Sequence, residues 1–96
     1  MSGDKTCEAE FVVKNELGLH ARPAGHFVTE AARYRAQISV GRSGEWVDGC
    51  SVLSLLSLAA SCGTRLHIRA SGPDAQEAVA ALGRLVEHPQ STVSTD

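Results

Sequence analysis

Ninety-six residues fit one domain and leave no room for a second catalytic unit. A net charge of −2 gives no basic surplus for a phosphate backbone, and 4% aromatics cannot build base-stacking platforms, so nucleic acid is excluded as a partner. The 43% hydrophobic share supports a core of Ala, Val, Leu and Ile, while the longest apolar stretch, Leu55 to Ala60, is far too short to span a bilayer.

The start, Met1 to Lys5, has no apolar signal core behind its lysine, so residues 1–7 read as a leader and the expected address is cytoplasmic. Glu8 to Lys14 then sets Ala9, Phe11 and Val13 on one side at period two, which predicts a strand with one buried face. A short connection, Asn15 to Leu19, hinges on Gly18. After His20 the spacing of Ala24, Phe27, Val28, Ala31 and Ala32 predicts a helix over about Ala21 to Arg33. Gln37 to Arg42, with Ile38 and Val40 alternating, and Glu45 to Asp48, with Trp46 and Val47, form a hairpin around Ser43-Gly44.

Val52, Leu55, Leu56 and Ala59 predict a short second helix closed by Cys62-Gly63, with Leu53 and Leu58 partly off its stripe. Thr64 to Ser71 alternates throughout, turning Leu66, Ile68 and Ala70 inward and Arg65, His67 and Arg69 outward. Gly72-Pro73 breaks that strand. Asp74, with Glu77 three residues on, reads as the cap of a third helix whose stripe is Ala75, Ala78, Val79, Leu82 and Val86, ending near His88-Pro89. The polar tail 90–96 is expected to be disordered. The order β-α-β-β-α-β-α describes an α+β open-faced sandwich over residues 8–89, a four-stranded antiparallel sheet with three helices on one face.

Three cysteines without a C-x-x-C pair argue against a disulfide framework and a thiolate zinc site, and His26, six residues beyond His20, is off its helical face. No metal or cofactor is expected. Arg65, His67 and Arg69 make an electropositive strip that reads as solvated surface, and Trp46 either covers the open sheet face or packs at the hairpin edge. Cys50 is explained by a small residue before a cap more readily than by a thiol of lowered pKa that responds to oxidants.

Chemistry concentrates in Leu17-Gly18-Leu19-His20-Ala21-Arg22-Pro23-Ala24, at the junction of the first strand and first helix. The first amides of a helix lack internal acceptors, and the macrodipole makes that end positive, so an anion reaching His20 meets donors aimed at it. Pro23 suits the first turn because its missing N–H would have been orphaned, and Arg22 offers a guanidinium fork. The positive end also disfavours an imidazolium, leaving the ring a lone pair for nucleophilic attack. A histidine with an anion clamp, but no acidic dyad and no Ser or Cys triad, suits a covalent way-station better than a self-sufficient enzyme.

The octapeptide from Leu17 to Ala24 resembles the active-site signature of the HPr family, the histidine-containing phosphocarriers of the phosphoenolpyruvate-dependent phosphotransferase system. The likeness runs over about Glu8 to His88 and includes the Ser51-Val52-Leu53 helix start and the Ala70-Ser71-Gly72 strand exit. It implies strand order 1-4-2-3. It further implies that His20 accepts phosphate on Nδ1 from phospho-enzyme I and passes it to an EIIA-type protein, with Arg22 as phosphate clamp. Ser51 matches the family's regulatory serine, the target of HPr kinase/phosphorylase, although helix capping explains it equally well.

Leu17, Leu19, Val52, Leu53 and Leu56 fall near His20 in that arrangement and suggest a docking patch, with core packing as the competing account of Leu19, Val52 and Leu56. Leu17 and Cys50 depart from the sugar-transport pattern, and Leu17-Gly18-Leu19 with Ser51 to Leu56 also resembles the nitrogen-type or regulatory branch. The alternative function is therefore a regulatory signalling module not coupled to sugar uptake. A shuttle that must present one face to successive partners is expected to be a monomer.

Overall fold

The computed structural model describes residues 5–88, so residues 1–4 of the expected leader, Pro89 and the tail 90–96 lie outside the described residues. Strand β1 (Lys5–Val12) leads to helix α1 (Ala21–Ala31), the hairpin β2 (Gln37–Arg42) and β3 (Glu45–Asp48), helix α2 (Val52–Ser57), strand β4 (Arg65–Gly72) and helix α3 (Ala75–Glu87). All strand pairings are antiparallel and the sheet order is β1-β4-β2-β3. The architecture and strand order match expectation. The hairpin turns on Ser43 and Gly44 with φ of 53° and 84°, the left-handed pair that suits the twist of two-residue loops.

The helices cover one sheet face. Phe27 and Ala24 of α1, Leu55 of α2 and Ala78, Val79, Leu82 and Val86 of α3 close over Ile38, Val40, Leu66, Ile68 and Ala70 of the central strands. Phe11 of β1 lies against the backbone of α3 at Gly83, where any Cβ would strike its ring. Glu87 at the far end of α3 accepts a hydrogen bond from Val12 N at 3.0 Å, which occupies an amide of edge strand β1.

The opposite face is open, and its basic residues are paired. Arg69 Nε lies 3.2 Å from Glu8, Arg65 lies 3.9 Å from Glu10, and His67 stands between the two carboxylates at 3.6 and 3.7 Å. The expected electropositive strip is thus corrected to a mixed-charge ladder, because β1 places Glu8 and Glu10 opposite Arg69 and His67 in the register. Trp46 belongs to this face: it lies over Gly41, and the Arg69 guanidinium sits 3.9 Å from its ring centroid.

Several boundaries shift for local reasons. β1 begins at Lys5, so Lys5 to Cys7 belong to the sheet and not to the leader, because β4 continues to Gly72 and gives them partners. Helix α1 stops at Ala31, after which Arg33 N and Tyr34 N bond three residues back, to Glu30 and Ala31 carbonyls, in a tightened final turn. Helix α2 tightens in the same way: Leu58 N bonds to Leu55 O and Ala59 N to Leu56 O. This rotates Leu58 into the core and leaves Ala59 exposed, the reverse of the predicted stripe.

Asp74 occupies the N-cap position of α3 but makes no side-chain capping bond. Its carboxylate accepts instead from Arg35 N and Ala36 N, both at 2.9 Å, tying the start of α3 to the segment that enters β2. The Arg35 amide, followed by that of Ala36, holds its carboxyl below the usual aspartate range.

Candidate functional site

The loop carrying His20 is fixed residue by residue. Val13 leaves the β1 ladder yet stays tied to the loop before β4, donating to Thr64 O at 2.9 Å and accepting from Gly63 N at 2.8 Å. Asn15 then folds the chain back: its side-chain oxygen accepts from Leu17 N at 3.0 Å and its carbonyl from Gly18 N at 2.9 Å. Gly18 has φ +76°, and a Cβ there would meet Ala60 O at 2.5 Å and Ser61 Cα at 2.9 Å, so both backbone and space require glycine. Leu19 N donates to the same Ala60 carbonyl at 2.8 Å.

His20 follows with extended backbone, φ −89° and ψ −169°, and its carbonyl accepts from Ala24 N at 2.9 Å, which makes it the N-cap of α1. Its half-buried side chain makes no capping bond, so the imidazole is not engaged by the helix end it stands on. The amides of Ala21 and Arg22 lie in the first turn, where the helix supplies no acceptor. Arg22 is exposed beside them, and the first turn holds no acidic residue to oppose an incoming anion.

Ser51 caps α2: its backbone is extended, its Oγ accepts from Ser54 N at 3.2 Å, and its carbonyl accepts from Leu55 N at 3.0 Å. Leu53, in the first turn of α2, is 80% exposed, and Leu17 is 77% exposed. Val52 and Leu56 are half-buried against the core. Leu19 corrects the expected docking patch: at 8% exposure it is core, drawn inward by its bond to Ala60, and supports the site from beneath. Partial shielding of its sulfur, with Asp48 nearby, pushes the Cys50 thiol up, opposite to the lowered value that a reactive thiol needs.

Ala60 is the contributor that sequence reasoning missed, because it acts through a main-chain carbonyl that any residue would carry.

A one-sided antiparallel sheet with a histidine at the head of its first helix is the arrangement of a phosphocarrier of the phosphotransferase system. Residues 7–88 match the family model described as "PTS HPr component phosphorylation site", and the chain belongs to the HPr family. It is 45% identical over 80 residues to the phosphocarrier protein HPr of Pseudomonas aeruginosa, covering 82% of this chain and 89% of that protein. Among solved structures, HPr from Bacillus anthracis superposes with a TM-score of 0.82 at 36% identity, over 85% of this chain and 98% of that one. Bacillus subtilis Crh, whose structure is described as a domain-swapped dimer, matches with a TM-score of 0.69 at 40% identity, over 77% of this chain and 85% of that one. Among the described residues no helix is long and apolar enough to cross a membrane.

Proposed function

We propose that His20 is the phosphoryl acceptor, charged by phospho-enzyme I and discharged to an EIIA-type protein, with Arg22 holding the phosphoryl oxygens. One observation carries this reading: His20 caps α1 with its main chain alone, so its ring stands at a positive helix end with no capping duty. The Nδ1 lone pair forms a bond to phosphorus as the bond from phosphorus to the donor breaks, and the reverse step delivers the group to the next acceptor. The amides of the first turn and the Arg22 guanidinium face the charge on the oxygens during both steps. The protein is a carrier in this scheme, chemically restored after each cycle, and works as a cytoplasmic monomer through Leu17, Leu53 and the exposed parts of Val52 and Leu56.

The test is incubation with phosphoenolpyruvate and enzyme I, read by phosphorus NMR. An acid-labile phosphoramidate on the wild type and none on His20→Ala is the expected result; an unchanged signal in His20→Ala removes the assignment. Sedimentation equilibrium on the same samples checks the monomer.

A second, regulatory reading draws on the likeness to Crh and on Ser51. Its Oγ already touches a helix-start amide, where a phosphate would be held by the same donors and would add about −2 charge near the exposed leucines. The expected effect is weaker engagement of enzyme I. Phosphopeptide mapping with HPr kinase present, showing Ser51 never modified, removes this branch.

A further inference from the structure

The turn that supports the His20 loop is itself held by a distant guanidinium, and we infer that Arg42 is a positioning residue for phosphoryl acceptance at His20. This inference rests on the assignment of His20 as acceptor. Arg42 is the last residue of β2 and belongs to neither of the helices whose starts carry His20 and Ser51. Its Nη1 donates to Leu58 O at 2.6 Å and lies 3.4 Å from Ala59 O, at the C-terminal end of α2.

Two features of that end call for such a cation. Helix α2 has no basic residue in its own last turn, so its carbonyls, the negative pole of the helix, take their positive charge from Arg42. Ala59 has φ +52°, a left-handed conformation that Cβ disfavours and that glycine ordinarily occupies at helix ends. An alanine stays there when surrounding contacts hold both flanking carbonyls in place, and the guanidinium does so.

The link to chemistry is short. Ala60 follows Ala59 directly; its carbonyl, one peptide beyond the two that Arg42 reaches, accepts from Leu19 N at 2.8 Å, and Gly18 is packed on Ala60 and Ser61 without room for a Cβ. Leu19 adjoins His20, whose own N–H returns to Gly18 O at 3.0 Å. Arg42 therefore sets the height of the Ala60 carbonyl, the carbonyl sets Leu19, and Leu19 sets where the His20 ring stands relative to the first turn of α1. Arg42 touches no reacting atom in this arrangement.

The experiment compares wild type, Arg42→Met, Arg42→Lys and Arg42→Met/Ala59→Gly by amide hydrogen exchange and by phosphotransfer from enzyme I. Losing a charged hydrogen bond predicts that the Leu19 amide of Arg42→Met exchanges about tenfold faster relative to Ile68 of the central strand. Transfer kcat falls by a similar factor while KM for enzyme I holds, since the exposed leucines are untouched. Ala59→Gly removes the left-handed penalty and restores most of both effects, and Arg42→Lys falls between.

Equal acceleration at Leu19 and Ile68 would mean that Arg42 merely stabilises the fold, and no acceleration at either would mean that it holds nothing; each overturns the inference. Should Arg42→Met not fold, Arg42→Lys is judged by the same Leu19-to-Ile68 ratio. Absence of phosphate on wild-type His20 would refute the acceptor assignment, and the exchange ratios would show separately whether Arg42 holds the loop.

Discussion

Gly18→Ala is the sharpest probe of the site. A left-handed residue with a Cβ costs about 1–2 kcal/mol. The added carbon would lie 2.5 Å from Ala60 O and 2.9 Å from Ser61 Cα, both main-chain atoms, so no side chain can swing aside. The two segments must separate, which weakens the Leu19 N to Ala60 O bond, worth about 1 kcal/mol net. The sum is about 2–3 kcal/mol, or about 8–24 °C in melting temperature at roughly 4–8 °C per kcal/mol for a domain of this size. The separation falls at the residue before His20, so the rate of phosphate acceptance drops together with stability. Thermal melts by circular dichroism and single-turnover transfer from phospho-enzyme I measure the two. A melting point within 3 °C of wild type, on the order of one measurement error plus a surface effect, with unchanged transfer, would refute the close approach.

Three further outcomes are expected. Leu53→Asp leaves the melting temperature unchanged, because the side chain is 80% exposed, and raises KM for enzyme I by about tenfold or more if it is a docking contact; an unchanged KM removes it from the patch. Ser51→Ala loses the cap on Ser54 N and costs about 1 kcal/mol, whereas Ser51→Asp retains most of that stability; equal melts for all three proteins would show that the cap contributes nothing. Asp74→Asn tests linkage: a carboxyl held below its ordinary value near 3.8 contributes stability that is complete above that pH and is lost as pH falls through the lower folded-state value. The variant is therefore less stable at pH 7 and declines less steeply with acid, and parallel acid-unfolding curves for the two proteins would contradict this.

The sheet was legible because its signals are local and periodic. Leu66, Ile68 and Ala70 alternate with charged residues, and the same three are buried on β4. The hairpin was legible because Ser43-Gly44 sits between two such runs and takes the left-handed pair. Helix α2 was read less well, since six residues give a helical period too few turns to set its phase, and the tightened end decided whether Leu58 or Ala59 faced inward. Asp74 fitted a capping pattern by residue type, but Arg35 and Ala36 compete for the same carboxylate from 39 and 38 positions away, a contest invisible along the chain.

At the candidate site, the residues proposed to carry the chemistry and the residues that hold them differ in kind. His20, Arg22 and Ser51 stand out because imidazole, guanidinium and hydroxyl are chemically distinctive and sit at helix starts. Their supports act through groups that every residue has: the Ala60 carbonyl, the Thr64 carbonyl and the Gly63 amide. The structure marks such supports by two side effects that residue identity alone does not display, a glycine without room for a Cβ at position 18 and an alanine held left-handed at position 59. Both lie on the seam between the α2–β4 turn and the His20 loop. Strain beside the proposed transfer site is retained only where the surroundings over-determine it, and the residue to which we assign that role, Arg42, comes from a strand with no part in the proposed chemistry. Replacing it should therefore change how fast His20 is charged before it changes whether the protein folds.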